Sequence, residues 1–367
     1  MDPLRVGVIG CGNISGIYFE NLNLYKPTTV VACADLNAEA AQKAAEKYSI
    51  PRVLTPDELL ADSEVELVLN LTVPKAHGPV NAASIAAGKH VYVEKPLALS
   101  RAEADPFMAA ANAKNLLTGG APDTFMGAGI QTCRKLIEDG AIGEPIGVNA
   151  FMMGHGPEGW HPNPEFYYEK GGGPLFDMGP YYLTALINLM GSVKSVQSMA
   201  RATFETRTIG NEAKKGKIIP VETPTHIVGL LEFGNGAIGQ VTMSFDVWHH
   251  QLPHIEIYGT EGSLSVPDPN GFGGDVKIRK ASQEEWEIVP LTHGYSQNSR
   301  GIGVMDMAYA IRTGRQHRAS GALTYHVLDI MQGLLESAEA GSSLALTSHV
   351  DKPAPLATNL PADDLTE

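Results

Sequence analysis

The sequence carries its strongest indication of fold at residues 4–16, which are LRVGVIGCGNISG. The apolar run 4–9 predicts a β-strand, the glycines predict a tight turn, and a helical pattern follows. This order is the context that a dinucleotide-binding loop requires, because the turn lets the backbone approach a pyrophosphate and the helix presents free N–H groups. Ser15 stands where a third small residue is usual. The residues expected to contact the dinucleotide here are Gly10, Gly12, Asn13 and Ile14.

An acidic residue follows at the spacing that such a loop predicts. The second predicted strand, VVACAD, ends at Asp35, about 20 residues beyond the glycines, where a carboxylate can accept hydrogen bonds from ribose hydroxyls. A 2'-phosphate would be repelled there, and no arginine follows closely in residues 36–39. We therefore expect NAD rather than NADP, with Asp35 and Leu36 in contact with it. The alternative is that Asp35 only caps the next helix.

Residues 1–122 are expected to form a Rossmann domain. Short strand patterns alternate with Ala-rich helical patterns, which is typical of parallel βαβ units. The predicted crossover helices cover 38–48, 76–87 and 102–114. Thr55-Pro-Asp-Glu58 predicts a capping box at the start of a further helix, and Ser100 with Glu103 repeats the box.

The second part of the chain has a different pattern of elements. Strand patterns without helices between them occur at 225–233, 237–245 and 254–258. Such a succession is typical of a mostly antiparallel sheet. We expect residues 123–350 to form an α+β domain for substrate binding and oligomerisation, and residues 351–367 to form a mobile tail rich in Pro and Asp. Two late helical patterns, at 304–313 and 324–340, can pack against either domain.

Composition and charge exclude several classes of protein. The chain has 367 residues and a formal net charge of -14, so it repels nucleic-acid backbones and anionic lipid surfaces. No apolar stretch approaches the ~20 residues that cross a bilayer. The three cysteines have no CxxC spacing and the first predicted strand begins almost at once, so we expect a cytoplasmic protein without a secretory signal. His249, His250 and His317 lack metal-ligand spacing, so no metal site is predicted.

Four further motifs occur in order along the chain. They are Thr72-Val-Pro-Lys-Ala-His77, Glu94-Lys-Pro96, GGGPLFDMGPY at 171–181 and EIYGTEGSL at 256–264. With these motifs the sequence resembles the Gfo/Idh/MocA family (glucose-fructose oxidoreductase, inositol dehydrogenase, rhizopine catabolism) over nearly its whole length. The resemblance implies a Rossmann domain followed by a large open sheet, with substrate between the nicotinamide and that sheet. It also implies a set of residues beside the nicotinamide and its ribose: Thr72, Val73, Pro74, His77, Glu94 and Lys95.

Lys95, Asp177 and Tyr181 are the residues on which we expect the chemistry to depend. An ammonium beside a substrate oxygen stabilises developing alkoxide charge. Asp177 and Tyr181 are four residues apart, so they share a helix face if Asp177 opens the predicted helix. The family usually has histidine at the position of Tyr181, and a phenol is a slow base unless a cation stabilises its phenolate.

Two mechanisms stay open for this group. In the first, Tyr181 relays the hydroxyl proton while the charge of Lys95 stabilises the Tyr181 phenolate. In the second, Lys95 takes the proton and Tyr181 only orients substrate. In both, Asp177 accepts a hydrogen bond from a substrate hydroxyl or orients Lys95. A third possibility for Tyr181 is core packing against Tyr182.

Three more residues are candidates for substrate contact: Trp160, His161 and Asp123. The first two lie in a Gly- and Pro-rich loop between the domains, and an indole there suits the C–H faces of a pyranose. The alternative is a loop packed by its own aromatic rings. Asp123 is a candidate because it follows the sixth predicted strand.

These expectations favour an NAD-dependent oxidoreductase that moves a hydride between the nicotinamide and a ring secondary alcohol or ketone of a sugar, anhydrosugar, glycoside or inositol. One alternative is a glycosidase or lyase in which bound NAD is transiently reduced, since the resembling family includes such enzymes. Another is a non-catalytic dinucleotide sensor. No nucleic-acid or membrane partner is expected. If the second sheet leaves an apolar face open, a homodimer or homotetramer follows.

Overall fold

The computed structural model describes residues 2–365 and begins with a parallel sheet of six strands. Its strands are β1 (Leu4–Ile9), β2 (Thr28–Ala34), β3 (Val53–Leu54), β4 (Leu67–Asn70), β5 (His90–Val93) and β6 (Thr118–Gly120). The helices between them are α1 (Ser15–Leu22), α2 (Ala38–Tyr48), α3 (Pro56–Ala61), α4 (Pro74–Ala86) and α5 (Arg101–Ala113). The strand order β3-β2-β1-β4-β5-β6 is that of a Rossmann fold, which confirms the prediction.

This sheet places the candidate residues along one edge. The strand order reverses between β1 and β4, and in open α/β sheets ligands bind outside the carboxyl ends of the strands at such a point. All of β4 is buried, as expected of a strand covered on both faces. The predicted capping box of Thr55 and Glu58 is present, and the Ser100 side chain accepts a hydrogen bond from the Glu103 N–H. Local sequence therefore fixes where these crossover helices begin.

The second part of the chain adds a nine-stranded sheet and a two-stranded one. Its strands are β7 (Pro145–Met153), β8 (Val193–Arg201), β9 (Thr206–Thr208), β10 (Ile218–Pro220), β11 (His226–Phe233), β12 (Ile238–Ser244), β13 (Ile255–Gly259), β14 (Gly262–Val266), β15 (Val276–Lys280), β16 (Glu287–Val289) and β17 (Leu344–Ala345). The large sheet has the order β16-β15-β14-β13-β7-β12-β11-β8-β17, and only the β7–β12 pair is parallel. This confirms the predicted α+β part with a large, mostly antiparallel open sheet.

One face of the large sheet is covered by helices and the other is not. The helices of this part are α6 (Ala128–Glu138), α7 (Gly173–Met190), α8 (Ile302–Thr313) and α9 (Gly321–Ala340). Helices α7 and α9 pack on the sheet, and the fit is close enough that a Cβ on Gly229 of β11 would lie 2.5 Å from Leu334 of α9. On the uncovered face, Met199 and Leu230 are 82% and 49% exposed.

The two late helices also contact the Rossmann domain, both at its sheet and at its first helix. Gly301, directly before α8, lies against Tyr18 of α1, and Gly321, the first residue of α9, lies against Thr118 of β6. These contacts join the two parts of the chain. Within residues 2–365, no helix is both long enough and apolar enough to cross a bilayer.

The tail after residue 350 packs against the protein, so the expectation of a mobile tail was wrong for the part that the structure describes. Leu356 is buried, and its N–H donates a 2.9 Å hydrogen bond to the Gln131 side chain. The Tyr295 hydroxyl donates to the Pro361 carbonyl at 2.6 Å. An isolated leucine in a Pro-rich segment gives no periodic pattern, so its burial is not evident from the sequence.

Candidate active site

The glycine turn after β1 has the geometry of a pyrophosphate cradle. Gly10 has a φ of +105°, and a Cβ there would lie 2.6 Å from the Leu71 carbonyl, so no other residue fits. A Cβ on Gly12 would meet nothing within 4 Å, so its backbone is open to a ligand. The close helix contact is made by Gly16, whose Cβ would lie 2.6 Å from the Tyr48 hydroxyl. Ser15 instead donates to the Gly12 carbonyl at 2.7 Å and so braces the turn.

Asp35 is held in place beside this turn. Its two carboxylate oxygens accept hydrogen bonds from the Cys11 and Asn37 N–H groups, each at 2.8 Å. Asn37, not Asp35, caps α2, which removes the purely structural alternative. In the described part of the chain no lysine or arginine forms an ion pair with Asp35, and the next residue, Leu36, is 97% exposed. The carboxylate keeps lone pairs for ribose hydroxyls, and the site fits NAD.

The loop after β4 forms the neighbouring wall. Thr72 donates to the Asn70 side chain at 2.7 Å, and Pro74 begins α4. The His77 ring is buried with its nitrogens 2.6 Å from the Pro96 carbonyl and 3.0 Å from the Thr72 carbonyl. His77 thus ties the β4 loop to the segment that carries Lys95. Val73, in contrast, is 67% exposed and lines the cavity at the carboxyl edge of the Rossmann sheet.

Two cavities meet at one shared wall. The first, about 510 Å³, lies at the carboxyl edge of the Rossmann sheet and is lined by Ile14, Thr72, Val73, Pro74, His77 and Glu94 among others. The second, about 490 Å³, lies under the second domain and is lined by Met152, His155, Trp160, Phe245 and Asn270 among others. Both are lined by Lys95, Tyr167, Asp177 and Tyr181. These four side chains therefore border both cavities, so a ligand in either one would lie against them.

Lys95 is oriented from both of the elements that hold it. Its ammonium donates to the Asp177 backbone carbonyl and to the Asp177 carboxylate, both at 2.7 Å, and lies 5.3 Å from the centre of the Tyr181 ring. Buried Glu94 accepts from the Lys95 N–H at 2.9 Å and from the Tyr18 hydroxyl at 2.7 Å. Glu94 therefore fixes the backbone from which Lys95 projects.

The surroundings of Lys95 keep it charged. Burial disfavours the ammonium, but the Asp177 carboxylate and the neighbouring Tyr181 and Glu94 outweigh burial, so the pKa of Lys95 is raised above its ordinary value. Burial raises the pKa of Tyr181 as well, while the positive charge of Lys95 lowers it. Lys95 is thus a protonated cation at neutral pH, and Tyr181 is a phenol whose pKa stays above its ordinary value because burial outweighs the effect of Lys95.

Helix α7 begins at Gly173, earlier than the predicted start at Asp177. Gly173 has a φ of +78° and Pro174 follows in the first turn. Asp177 therefore lies in the second turn, where the four-residue spacing still directs it and Tyr181 to one face. Tyr182 points elsewhere and bonds His254 at 3.0 Å, so Tyr181 is not merely its packing partner.

The candidates for substrate contact have different positions. Trp160 is 70% exposed and lines the second cavity. His161 lines neither cavity: its ring packs edge-on against Trp160, Phe166 and Tyr167, and its Nδ1 accepts from the Asn163 N–H at 3.1 Å. The expectation that His161 contacts substrate was wrong, because its ring packs among the aromatic side chains of the loop.

The expectation for Asp123 was also wrong. The side chain is 1% exposed and accepts hydrogen bonds from the Gly301 and Gly303 N–H groups at 2.8 and 3.0 Å. It therefore binds the start of α8 rather than a substrate. Burial raises the pKa of Asp123 to about 6. The residue lies at a strand end, but the late helix occupies the space in front of it.

Several residues that line the second cavity were not among the sequence candidates, and three of them carry polar groups: Tyr167, His155 and Asn270. Tyr167 follows Phe166 in an aromatic run, and His155 lies in the same Gly-rich loop as Trp160, so a signal existed for both. The His155 ring stacks on Trp248 at 3.3 Å between ring centres, and its Nδ1 has no hydrogen-bond partner among the described residues. Asn270 comes from a distant turn and gives no local signal.

The fold and this junction of two cavities define a class of protein, the two-domain dinucleotide-dependent oxidoreductases. Comparison with known families shows to which family within that class the chain belongs. Residues 4–119 match the family model described as "Oxidoreductase family, NAD-binding Rossmann fold", and residues 130–265 match the "GFO/IDH/MocA C-terminal domain". The chain belongs to the Gfo/Idh/MocA oxidoreductase family. This confirms the resemblance and the choice of NAD as cofactor.

Individual relatives agree with this assignment. The chain is similar to myo-inositol 2-dehydrogenase of Thermotoga maritima, at 26% identity over 71% of this chain and 74% of the relative. It is also similar to levoglucosan dehydrogenase of Pseudarthrobacter phenanthrenivorans, at 25% identity over 92% and 97%. A solved structure of levoglucosan dehydrogenase in complex with NADH superimposes with a TM-score of 0.81 at 23% identity, covering 95% of this chain and all of that one.

Proposed function

We propose that this enzyme transfers a hydride between NAD and a ring secondary alcohol or ketone of a sugar, anhydrosugar, glycoside or inositol. The observation that carries the proposal is the wall shared by the two cavities. Lys95, Asp177 and Tyr181 border both the cleft beside the dinucleotide turn and the cavity under the second domain. A substrate carbon at this wall meets a cation, a carboxylate and a phenol together.

Each of the three side chains has a distinct part in the proposal. NAD, when bound, supplies or accepts the hydride. The Lys95 ammonium holds the substrate oxygen and stabilises its developing negative charge. Lys95 has a raised pKa and is already protonated, so we assign the relay of the hydroxyl proton to Tyr181, whose pKa burial raises and the Lys95 charge lowers. Asp177 keeps the ammonium oriented and accepts a hydrogen bond from a substrate hydroxyl.

The lining of the second cavity supports a ring polyol as substrate. Trp160, Phe245 and Met152 provide apolar surface, while His155 and Asn270 provide groups that can bond hydroxyls. This mixture suits a molecule with C–H faces and hydroxyl edges. The relatives named for levoglucosan and myo-inositol are consistent with this class.

A panel assay tests the proposal. Levoglucosan, myo-inositol, D-xylose and D-glucose are each incubated with NAD or NADP, and the absorbance of the reduced cofactor is followed. We expect NADH from at least one polyol, less with NADP, none with Lys95→Met, and normal turnover with Lys43→Met, an exposed lysine on α2. Tight NAD binding without NADH from any polyol would refute it. Cleavage of a glycoside without net NADH would point to the glycosidase or lyase alternative, which no observation here favours.

We also propose that a second copy of the chain covers the open face of the large sheet. Met199 of β8 lies opposite Val228 of β11, and Leu230 is two residues further along β11 on the same face. Exposed apolar side chains grouped in this way are usually covered in an assembly. Light scattering is expected to give a dimer or tetramer for the native chain and a monomer for Met199→Asp/Leu230→Asp. The control is Leu24→Asp, because Leu24 is 69% exposed but follows α1 in the Rossmann part, away from the large sheet. A native monomer would contradict the proposal.

A further inference from the structure

Two tryptophan side chains beside the second cavity are exposed to solvent. Of the three tryptophans in the chain, Trp160 is 70% exposed and Trp248 is 69% exposed. Trp160 lines the second cavity, and Trp248 stacks on His155, which also lines it. Tryptophan is highly buried on average in folded proteins. Two indoles left in solvent beside a substrate cavity therefore point to a ligand that covers them.

The indole of Trp248 is held as a flat platform. Its ring centre lies 3.3 Å from that of the His155 ring, and the two ring planes differ by only 13°. The imidazole therefore covers one face of the indole, while the side chain as a whole stays mostly exposed. A side chain that is fixed before a ligand arrives loses little conformational freedom when the ligand binds. The stack thus presents a preorganised aromatic face.

Buried charges tie together the two loops that meet at this stack. Arg207 is 5% exposed, and its guanidinium donates to the Asp246 carboxylate at 2.5 Å and to the Glu158 carboxylate at 3.0 Å. Glu158 lies in the loop after β7, and Asp246 lies two residues before the stacked indole. The Val247 N–H also donates to the Gly154 carbonyl at 3.1 Å. Because breaking a buried ion pair is costly, these contacts keep the two loops together.

The platform adjoins the cavity in which the reaction is proposed to occur. That cavity reaches from the wall that contains Lys95 to Trp160. Its volume of about 490 Å³ falls in the range that accommodates a drug-sized ligand, which is larger than one sugar ring. Residues 249–251, which directly follow Trp248, are His-His-Gln, and all three are exposed. Flat apolar surface with such polar neighbours suits the C–H faces and hydroxyl edges of a carbohydrate.

We propose that a second sugar ring binds on the free face of Trp248, so that the substrate is a glycoside of at least two rings. This rests on the proposed function, in which the reacting ring lies against Lys95, Asp177 and Tyr181. The reacting carbon gives its hydride to NAD and the hydroxyl proton passes to solvent through Tyr181, so the products are NADH, a proton and a keto-glycoside. The glycosidic bond stays intact. The second ring undergoes no reaction and contributes only to binding.

Matched pairs of sugars test the proposal. For NAD reduction, kcat/KM is measured for cellobiose against methyl β-D-glucoside and for maltose against methyl α-D-glucoside, which keep the linkage but lack the second ring. In at least one pair we expect the disaccharide to be favoured about tenfold, mostly through KM, because a ring that does not react binds equally in the ground and transition states. Trp248→Ala should bring that ratio close to one, and Trp248→Phe should keep most of it. The control is Trp286→Ala, an indole directly before β16, which should leave the ratio unchanged.

A second measurement does not depend on turnover. The same four sugars are titrated by calorimetry into the protein saturated with NADH, and we expect the tighter binding of a disaccharide to be lost in Trp248→Ala. Equal affinity for one-ring and two-ring sugars in the native protein, or an equal loss for both in the variant, would overturn the proposal. Dissociation of a native oligomer in Trp248→Ala, seen by light scattering, would also overturn it and assign the indole to a subunit contact. If no sugar is oxidised but disaccharides bind more tightly through Trp248, the proposed function fails while the site for a second ring stands.

Discussion

Replacing Lys95 with methionine separates its chemical part from its structural part. Methionine keeps the length and much of the apolar contact of the lysine stem but removes the ammonium. The carboxylate of Asp177 then loses the partner that it holds at 2.7 Å, with side chains only 18% and 20% exposed. The variant should therefore lose both transition-state charge stabilisation and an ion pair.

The two losses have different magnitudes. Removing one preorganised group that stabilises developing oxyanion charge costs roughly 10²–10³ in kcat. Leaving a buried carboxylate without its cation costs about 3–5 kcal/mol when the pair is fully buried. Because about a fifth of each Lys95 and Asp177 side chain remains exposed, we expect a stability loss of about 1–3 kcal/mol, nearer the cost of an unsatisfied buried group.

The double variant Lys95→Met/Asp177→Asn provides the matched control. It removes both charges, so its free energy of unfolding in urea should return to within about 1 kcal/mol of the native value while activity stays lost. NAD affinity, measured by calorimetry, should change little in either variant. Turnover above a tenth of the native value in Lys95→Met, or recovery of activity in the double variant, would refute the role given to the ammonium.

Three further predictions address other residues. Tyr181→Phe should lower kcat by roughly 10²–10⁴ and remove the limb of the pH–rate profile that rises with pH; an unchanged profile would make Tyr181 a packing residue. Asp35→Ser removes charge-assisted hydrogen bonds of about 1.5–3 kcal/mol, so the Kd for NAD should rise about 10- to 100-fold while the Kd for NADP falls. Equal Kd values for NAD in the native protein and the variant would contradict the ribose contact. Burial raises the pKa of Asp123 to about 6, so the folded state binds the proton more tightly than the unfolded state does. The free energy of unfolding should therefore fall as pH rises from about 4 to about 6. Asp123→Asn should abolish that dependence and be more stable above pH 6, by up to roughly 3 kcal/mol in urea unfolding.

The Rossmann half of the site follows from sequence because its determinants are local. Gly10 is required by a positive φ and by the nearby Leu71 carbonyl, and Asp35 directly follows the adjacent strand. Lys95 comes directly after β5, so its place at the carboxyl edge follows from the strand order. Each of these depends on a short segment and on a rule that governs parallel sheets.

The substrate half depends on contacts between distant segments. Asn270 and Arg300 meet only because the loops after β14 and before α8 converge, and no spacing in the sequence indicates this. Asp123 was misassigned for the same reason, since α8 returns from much later in the chain to bind it. Loop conformations set by such contacts are not encoded in local patterns.

Isotope labelling shows whether a hydrogen passes from the substrate ring carbon to the cofactor. A polyol found active in the panel is prepared with deuterium on the ring carbon that bears the reacting hydroxyl, and the NADH formed is analysed by mass spectrometry and proton NMR. We expect one deuterium per NADH, on one face of the nicotinamide ring, and none released to water. Deuterium in the solvent, or NADH without deuterium, would show that the hydride does not pass from a ring carbon to NAD at this site.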